Sequence, residues 1–183
     1  MYLTWYTNKE ECLKTMDAIK AILERRSVRS ISEVAVSKET LETLVECGRV
    51  APSGHNKQGR SFLVLTERSA VDEVGNIATW GKFFIGKAPA VILVFCDTKE
   101  SITLVEDGSA ATENILIAAT AQGLASCWVA GFGMPYASKI EAFAGAPENK
   151  KLISIIPIGY STGANTPMPK KSSLNDVLFW NKF

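Results

Sequence analysis

The stretch Ala90-Val91-Ile92-Leu93-Val94-Phe95 is apolar on both faces, without the alternation that marks a half-exposed strand. That pattern is the signature of a buried central strand, so the domain is expected to be organised around a sheet. Working outward, Ser61 to Leu65 and Leu152 to Tyr160 read as further strands, and Ala125 to Gly133 as a short strand running into a glycine-punctuated turn. The segment Asp107 to Gln122 carries the strongest helical pattern, with Ala110, Ala111, Asn114, Ile115, Ile117, Ala118 and Ala121 apolar or small nearly all round. Such a helix belongs in the centre of the molecule, packed closely on several sides.

Shorter helices are expected around this core. Met16, Ile19, Ile22 and Leu23 recur at helical spacing; a second helix follows the capping Ser37, with Leu41, Leu44 and Val45 as its stripe, and ends near Val50. Ala70 to Ile77 and Tyr136 to Ala144 complete the set. Trp80, Phe83 and Phe84 precede the central strand, where aromatic residues belong to the core more often than to a pocket roof. From Ser161 to Lys171 the chain is rich in Pro, Gly and Thr and reads as an extended surface segment, while Leu174 to Trp180 is apolar enough to dock on a neighbour.

Bulk properties exclude several classes. With 183 residues, 46% hydrophobic and 21% charged, the chain suits one globular domain; a net charge of +1 draws it to neither nucleic acid nor an acidic membrane surface. No apolar run approaches the ~20 residues that span a bilayer. Met1 to Thr15 lacks the basic start and apolar core of a signal peptide. Cys12, Cys47, Cys96 and Cys127 form no C-x-x-C pair, so they suggest neither a zinc site nor a redox motif and fit a reducing cytoplasm.

Any basic site must therefore be local, and Arg25-Arg26-Ser27-Val28-Arg29 is one, lying directly after the first helical pattern. Guanidinium forks match phosphate oxygens two at a time, and a serine hydroxyl adds a further donor. A solvated basic helix end, complementing the helix dipole, accounts for the same residues. A second candidate is the donor-rich loop Pro52-Ser53-Gly54-His55-Asn56-Lys57-Gln58, whose His55 is the sole histidine; hydrogen bonding within the loop is a simpler role for it than general-acid chemistry. A third is the Trp128-Val129-Ala130-Gly131 turn, where glycine permits close backbone approach to a flat ligand or simply makes a tight turn.

Together, Arg25 to Arg29, Ala51-Pro52-Ser53-Gly54 with Asn56 and Gln58, the helix bearing Asn114 and Gly123-Leu124, Trp128 to Phe132, and Pro157-Ile158-Gly159-Tyr160 occur in an order that resembles the FMN-dependent nitroreductase family in its compact form. The resemblance implies an α+β fold with a mostly antiparallel central sheet covered by helices, an intertwined homodimer, and two FMN molecules at the subunit interface. Residues 1–15, which mix aromatic and charged residues without a period, read as an N-terminal extension; the likeness runs from about Met16 to about Trp180, so an FMN-binding domain is expected over 16–160 and a C-terminal extension packing on the partner subunit over 161–183. The resemblance also implies that Arg25, Ser27 and Arg29 hold the phosphate end of FMN with help from Arg26. Pro52, Ser53, Gly54, Asn56 and Gln58 would border the flavin from the partner subunit, and Trp128, Val129, Ala130 and Gly131 would approach its ring. Lys170 and Lys171 stand where the family often completes its phosphate site with a Lys/Arg pair, and Ala130 where larger members often carry an acid.

The expected activity is transfer of reducing equivalents from NADH or NADPH, through FMN, to nitroaromatic, quinone or similar acceptors in ping-pong order. No protein side chain is expected to act as a catalytic acid or nucleophile, and no metal is expected. The absence of a G-x-G-x-x-G fingerprint fits a nicotinamide that stacks on flavin. The alternatives are a specialised flavoprotein, such as a reductive dehalogenase or a flavin-consuming enzyme, and a non-catalytic FMN-binding protein.

Overall fold

The computed structural model describes residues 17–163 and 167–183. The central strand of the sequence reading, here β2 (Ala90–Asp97), is buried along all eight residues. It pairs antiparallel with β1 (Arg60–Leu65) on one side and with β5 (Lys150–Gly159) on the other, a bulge between Val94 and Phe95 shifting the second register. The far edge of β5 carries two short antiparallel strands, β3 (Ala125–Ser126) and β4 (Val129–Ala130). The expected single strand after Leu124 is thus broken at Cys127-Trp128, so that one chain segment pairs twice along β5.

Because strand side chains alternate, β2 feeds two cores. Ala90, Ile92, Val94 and Cys96 point to the face covered by α2 (Lys38–Arg49) and α5 (Leu104–Ala121), where Leu41, Leu44, Ala111, Ile115 and Leu116 meet them. Val91, Leu93 and Phe95 point to the opposite face, against Val71 and Val74 of α3 (Arg68–Ile77), Phe84 and Ile85 of α4 (Lys82–Ile85), and Ile140 of α6 (Ala137–Phe143). Helix α5 begins three residues before its predicted start, because Asp107, polar and read as a first-turn residue, is buried within the helix.

Two apolar segments depart from expectation. In α1 (Ala18–Glu24) only Ala21 is buried, while Ile19, Ile22 and Leu23 are exposed, so the helical stripe read from the sequence is not part of this chain's own core. The tail is exposed throughout its described residues, including the single-turn α7 (Leu174–Val177). Phe84 is core, as expected, but Trp80 and Phe83 are exposed: their positions on a short turn and a one-turn helix point away from the sheet. Met16 and the 1–15 segment lie outside the described residues.

Candidate functional site

Helix α1 stops at Arg25, which leaves the helical region, and the next residues run as extended chain along the sheet edge. Ser27 forms an isolated parallel bridge with Ser126, and the Val28 N–H donates to the Ser126 carbonyl at 2.9 Å. This stitches the arginine cluster to β3. Arg26 turns back on its own helix, donating to the Leu23 and Arg25 carbonyls at 2.9 and 2.8 Å, and so acts as a C-cap. Arg25 is half-buried and Arg29 is exposed. Arg25 Nε lies 3.3 Å from Glu113 of α5, a partly exposed pair, and Arg29 stacks over the Phe84 ring at 5.7 Å. Cys127 lies among them: burial pushes its thiol up, while the positive charge of Arg29, a Ser27 hydrogen bond and Arg25 partly offset that.

Of the five residues in the cluster, Arg25, Ser27 and Arg29 therefore converge on one corner of the sheet, beside a buried Ser126 hydroxyl that has no hydrogen-bond partner among the described residues. Two guanidinium groups, a hydroxyl and an orphaned buried hydroxyl form a donor set suited to phosphate oxygens. The residues present fit the phosphate end of FMN.

Trp128, Val129, Ala130 and Gly131 lie further along the same edge. Val129 is buried, whereas Trp128 and Ala130 are exposed. The Ala130 carbonyl accepts from the buried Tyr136 hydroxyl at 2.6 Å. Gly131 is required for a reason other than ligand approach: its N–H donates to the Ile153 carbonyl at 2.9 Å, and a Cβ there would lie 2.6 Å from Leu152 Cγ. Trp128 and Ala130, not Gly131, are the exposed residues among these four.

The loop containing Pro52, Ser53, Gly54, Asn56 and Gln58 occupies the diagonally opposite corner. It precedes β1, at the end of the sheet where Arg60 faces Cys96 and Cys96 faces Lys151; the arginine cluster meets Ser126, which faces Ile158, which in turn faces Ala90. That is roughly 20 Å along the strands and three strand spacings, roughly 14 Å, across them. One chain does not bring the two donor sets together. The loop is strained as well, since His55, Asn56 and Gln58 have φ of 50°, 55° and 56°. Left-handed non-glycine residues cost about 1–3 kcal/mol each, least for Asn and His, and persist only where their surroundings hold them.

Its surroundings do. Arg60 donates to the carbonyls of Arg49, Ala51 and Pro52 at 3.2, 2.7 and 2.5 Å, the Gln58 N–H donates to Ser53 Oγ at 3.0 Å, and the Asp97 N–H closes onto the Gly59 carbonyl at 2.9 Å. Asp107, a residue that sequence reasoning passed over, accepts from the Gly54 N–H at 2.9 Å, from Thr103 Oγ1 at 2.8 Å and from Ser101 Oγ. The available signal was an acidic residue at the start of an otherwise apolar helix. Asn114 ties the same helix to α2 by donating to the Cys47 carbonyl at 3.0 Å. Lys170 and Lys171 are exposed in the tail.

Residues 22–81 and 69–160 match the sequence profile of the Nitroreductase family. An Archaeoglobus fulgidus protein provisionally named NADH dehydrogenase/NAD(P)H nitroreductase is 35% identical over 156 residues, covering 82% of this chain and 86% of the relative. A solved structure from Bacteroides thetaiotaomicron under the same provisional name superposes with a TM-score of 0.84 at 29% identity, covering 91% of this chain and 98% of that one. An FMN-dependent nitroreductase from Clostridium difficile superposes with a TM-score of 0.83 at 26% identity, covering 90% and 99% of the two chains. With this ordered set of features on a helix-covered antiparallel sheet, the chain belongs to the Nitroreductase family of oxidoreductases.

Proposed function

We propose that this protein is an FMN-dependent NAD(P)H oxidoreductase that reduces nitroaromatic, quinone or similar conjugated acceptors as a homodimer. The observation that carries the reading is the diagonal separation of two donor sets, the Arg25–Ser27–Arg29 corner and the Ser53–Gln58 loop. A shared ligand reaches both when a second copy supplies one of them, so each site takes its phosphate donors from one subunit and its loop from the other.

Arg25 and Arg29 supply the charge for the phosphate, with Ser27 and Ser126 as hydroxyl donors, while Arg26 fixes the chain direction by capping α1. The backbone of the exposed Ala130, its carbonyl held by Tyr136, borders the ring. Trp128 and Val129 support that turn, and Pro52, Ser53, Gly54, Asn56 and Gln58 close the site across the interface. Lys170 and Lys171 add positive charge from the tail at a distance set by how the tail docks. Held by these residues, FMN would supply the redox chemistry, taking up a hydride equivalent from NADH or NADPH and delivering electrons to the acceptor. The protein binds and orients, and no side chain of the assembled set is needed as a nucleophile.

The test is an absorbance spectrum of the purified protein before and after anaerobic addition of NADH and then NADPH. Flavin bands that bleach with either nucleotide are expected. Bands that persist with both would indicate a non-catalytic FMN binder, and no bands after adding FMN would overturn the assignment of Arg25 to Arg29.

A further inference from the structure

The strained loop Ser53–Gln58 is gripped from three directions, and one of the grips comes from deep inside the molecule. Asp107 is 3% exposed and lies within the first turn of α5, the helix at the centre of the larger core. Its carboxylate receives three donors: the Gly54 backbone N–H and the hydroxyls of Ser101 and Thr103. The last two come from the segment that leads into α5, so the loop before β1 and the segment before α5 share a single buried anion. Helix α5 is also tied to the base of α2 through Asn114 and Cys47, and to Arg25 through Glu113. The same helix thus touches the arginine corner at Glu113 and the loop corner at Asp107.

We infer that Asp107 is a positioning residue for the flavin site: by holding the Gly54 N–H it sets the left-handed backbone of His55, Asn56 and Gln58 against the ligand of the partner subunit. The inference rests on the proposed placement of this loop at FMN. A buried carboxylate satisfied by one backbone amide and two hydroxyls fixes the direction of that amide more tightly than water would. A loop whose backbone is strained gains its preorganisation from such a partner, and without it relaxes toward ordinary φ values before any ligand arrives. Asp107 itself touches neither cofactor nor acceptor in this reading, and acts only through the loop.

His55, the only histidine in the chain, makes this testable, because its two carbon-bound imidazole protons form the one histidine pair in the spectrum. The protein is purified, stripped of flavin, and titrated with FMN, following both the His55 carbon-bound proton signals by NMR and flavin fluorescence. In the wild type the His55 signal is expected to shift on FMN addition. In Asp107→Ala the FMN dissociation constant should rise at least tenfold and the His55 signal of the flavin-free protein should move toward the free-histidine position, with circular dichroism still native. Where Asp107→Ala does not fold, Asp107→Asn carries the test, and Asp107→Glu is expected to restore little because the longer side chain misplaces the acceptor. A folded Asp107 variant with wild-type FMN affinity and an unchanged His55 signal would overturn the role of Asp107 alone. A wild-type His55 signal indifferent to bound FMN would instead overturn the placement of the loop at flavin, and with it the ligand named here.

Discussion

At the scale of single residues, the arginine cluster divides its labour. Arg26 uses its terminal nitrogen on the end of α1, whereas Arg25 pairs with Glu113 and Arg29 lies over Phe84, both beside Ser27. Removing Arg25 should therefore cost at least one charge-assisted hydrogen bond, about 1.5–3 kcal/mol, and weaken FMN binding by roughly tenfold or more. Fluorescence titration of Arg25→Ala checks this, and unchanged affinity would reject the phosphate assignment. Asp107 adds a pH dependence. Burial raises its carboxyl, but hydrogen bonds from Ser101, Gly54 and Thr103, with the nearby Arg60 charge, bring it below the ordinary aspartate value. A group depressed on folding contributes stability that is complete above its unfolded value, about pH 3.9, and is lost as pH falls through the lower folded value. The Gly54 amide, which donates to this carboxylate, should accordingly keep its NMR position from neutral pH down to about pH 4 and change only below that.

At the scale of elements, the unbroken apolar run of β2 and the small-residue pattern of α5 were readable because burial on both sides leaves no alternation to interpret. The close packing of α5 is visible at Gly108, where an added Cβ would lie 2.6 Å from both Ile153 Cγ1 and Cγ2 on β5. Gly108→Ala should overpack this contact and destabilise the fold by about 1–3 kcal/mol, measurable as a lowered midpoint in urea or heat unfolding. The arginine corner and the Ser53–Gln58 loop could be named in the sequence because charge and turn residues cluster locally. What could not be read was how they are held. Asp107 reaches Gly54 across 53 residues of chain, and the break at Cys127-Trp128 depends on how β5 pairs with two short strands. Gly131 reads in the sequence equally as a point of ligand approach or as a tight turn, and the residue that excludes a side chain there is Leu152, on a strand 21 residues away in the sequence. Contacts of that range leave no periodic mark.

At the scale of the whole molecule, the segments that fail to bury their apolar residues share a physical explanation. Ile19, Ile22 and Leu23 on α1 are half exposed or more, and so are Leu174, Val177, Phe179, Trp180 and Phe183 in the tail. Each large apolar side chain left in water forgoes about 1.5–3 kcal/mol of burial, so a lone chain carrying this many is poorly stabilised in that state. Exposed apolar side chains in such number mark an association face, which the proposed homodimer would cover. Deleting residues 167–183 should therefore leave the sheet and its two cores intact, because no described tail residue is buried in them. The truncated protein is expected to keep its native circular dichroism, to shift from dimer toward monomer in light scattering at micromolar concentration, and to lose FMN affinity in step with that shift, since a monomer offers only one of the two donor sets to each ligand. Raising protein concentration should recover part of the binding if association is what was lost, whereas a truncated protein that remains dimeric and binds FMN as the intact chain does would place the subunit contact elsewhere, on α1 and the sheet edge alone.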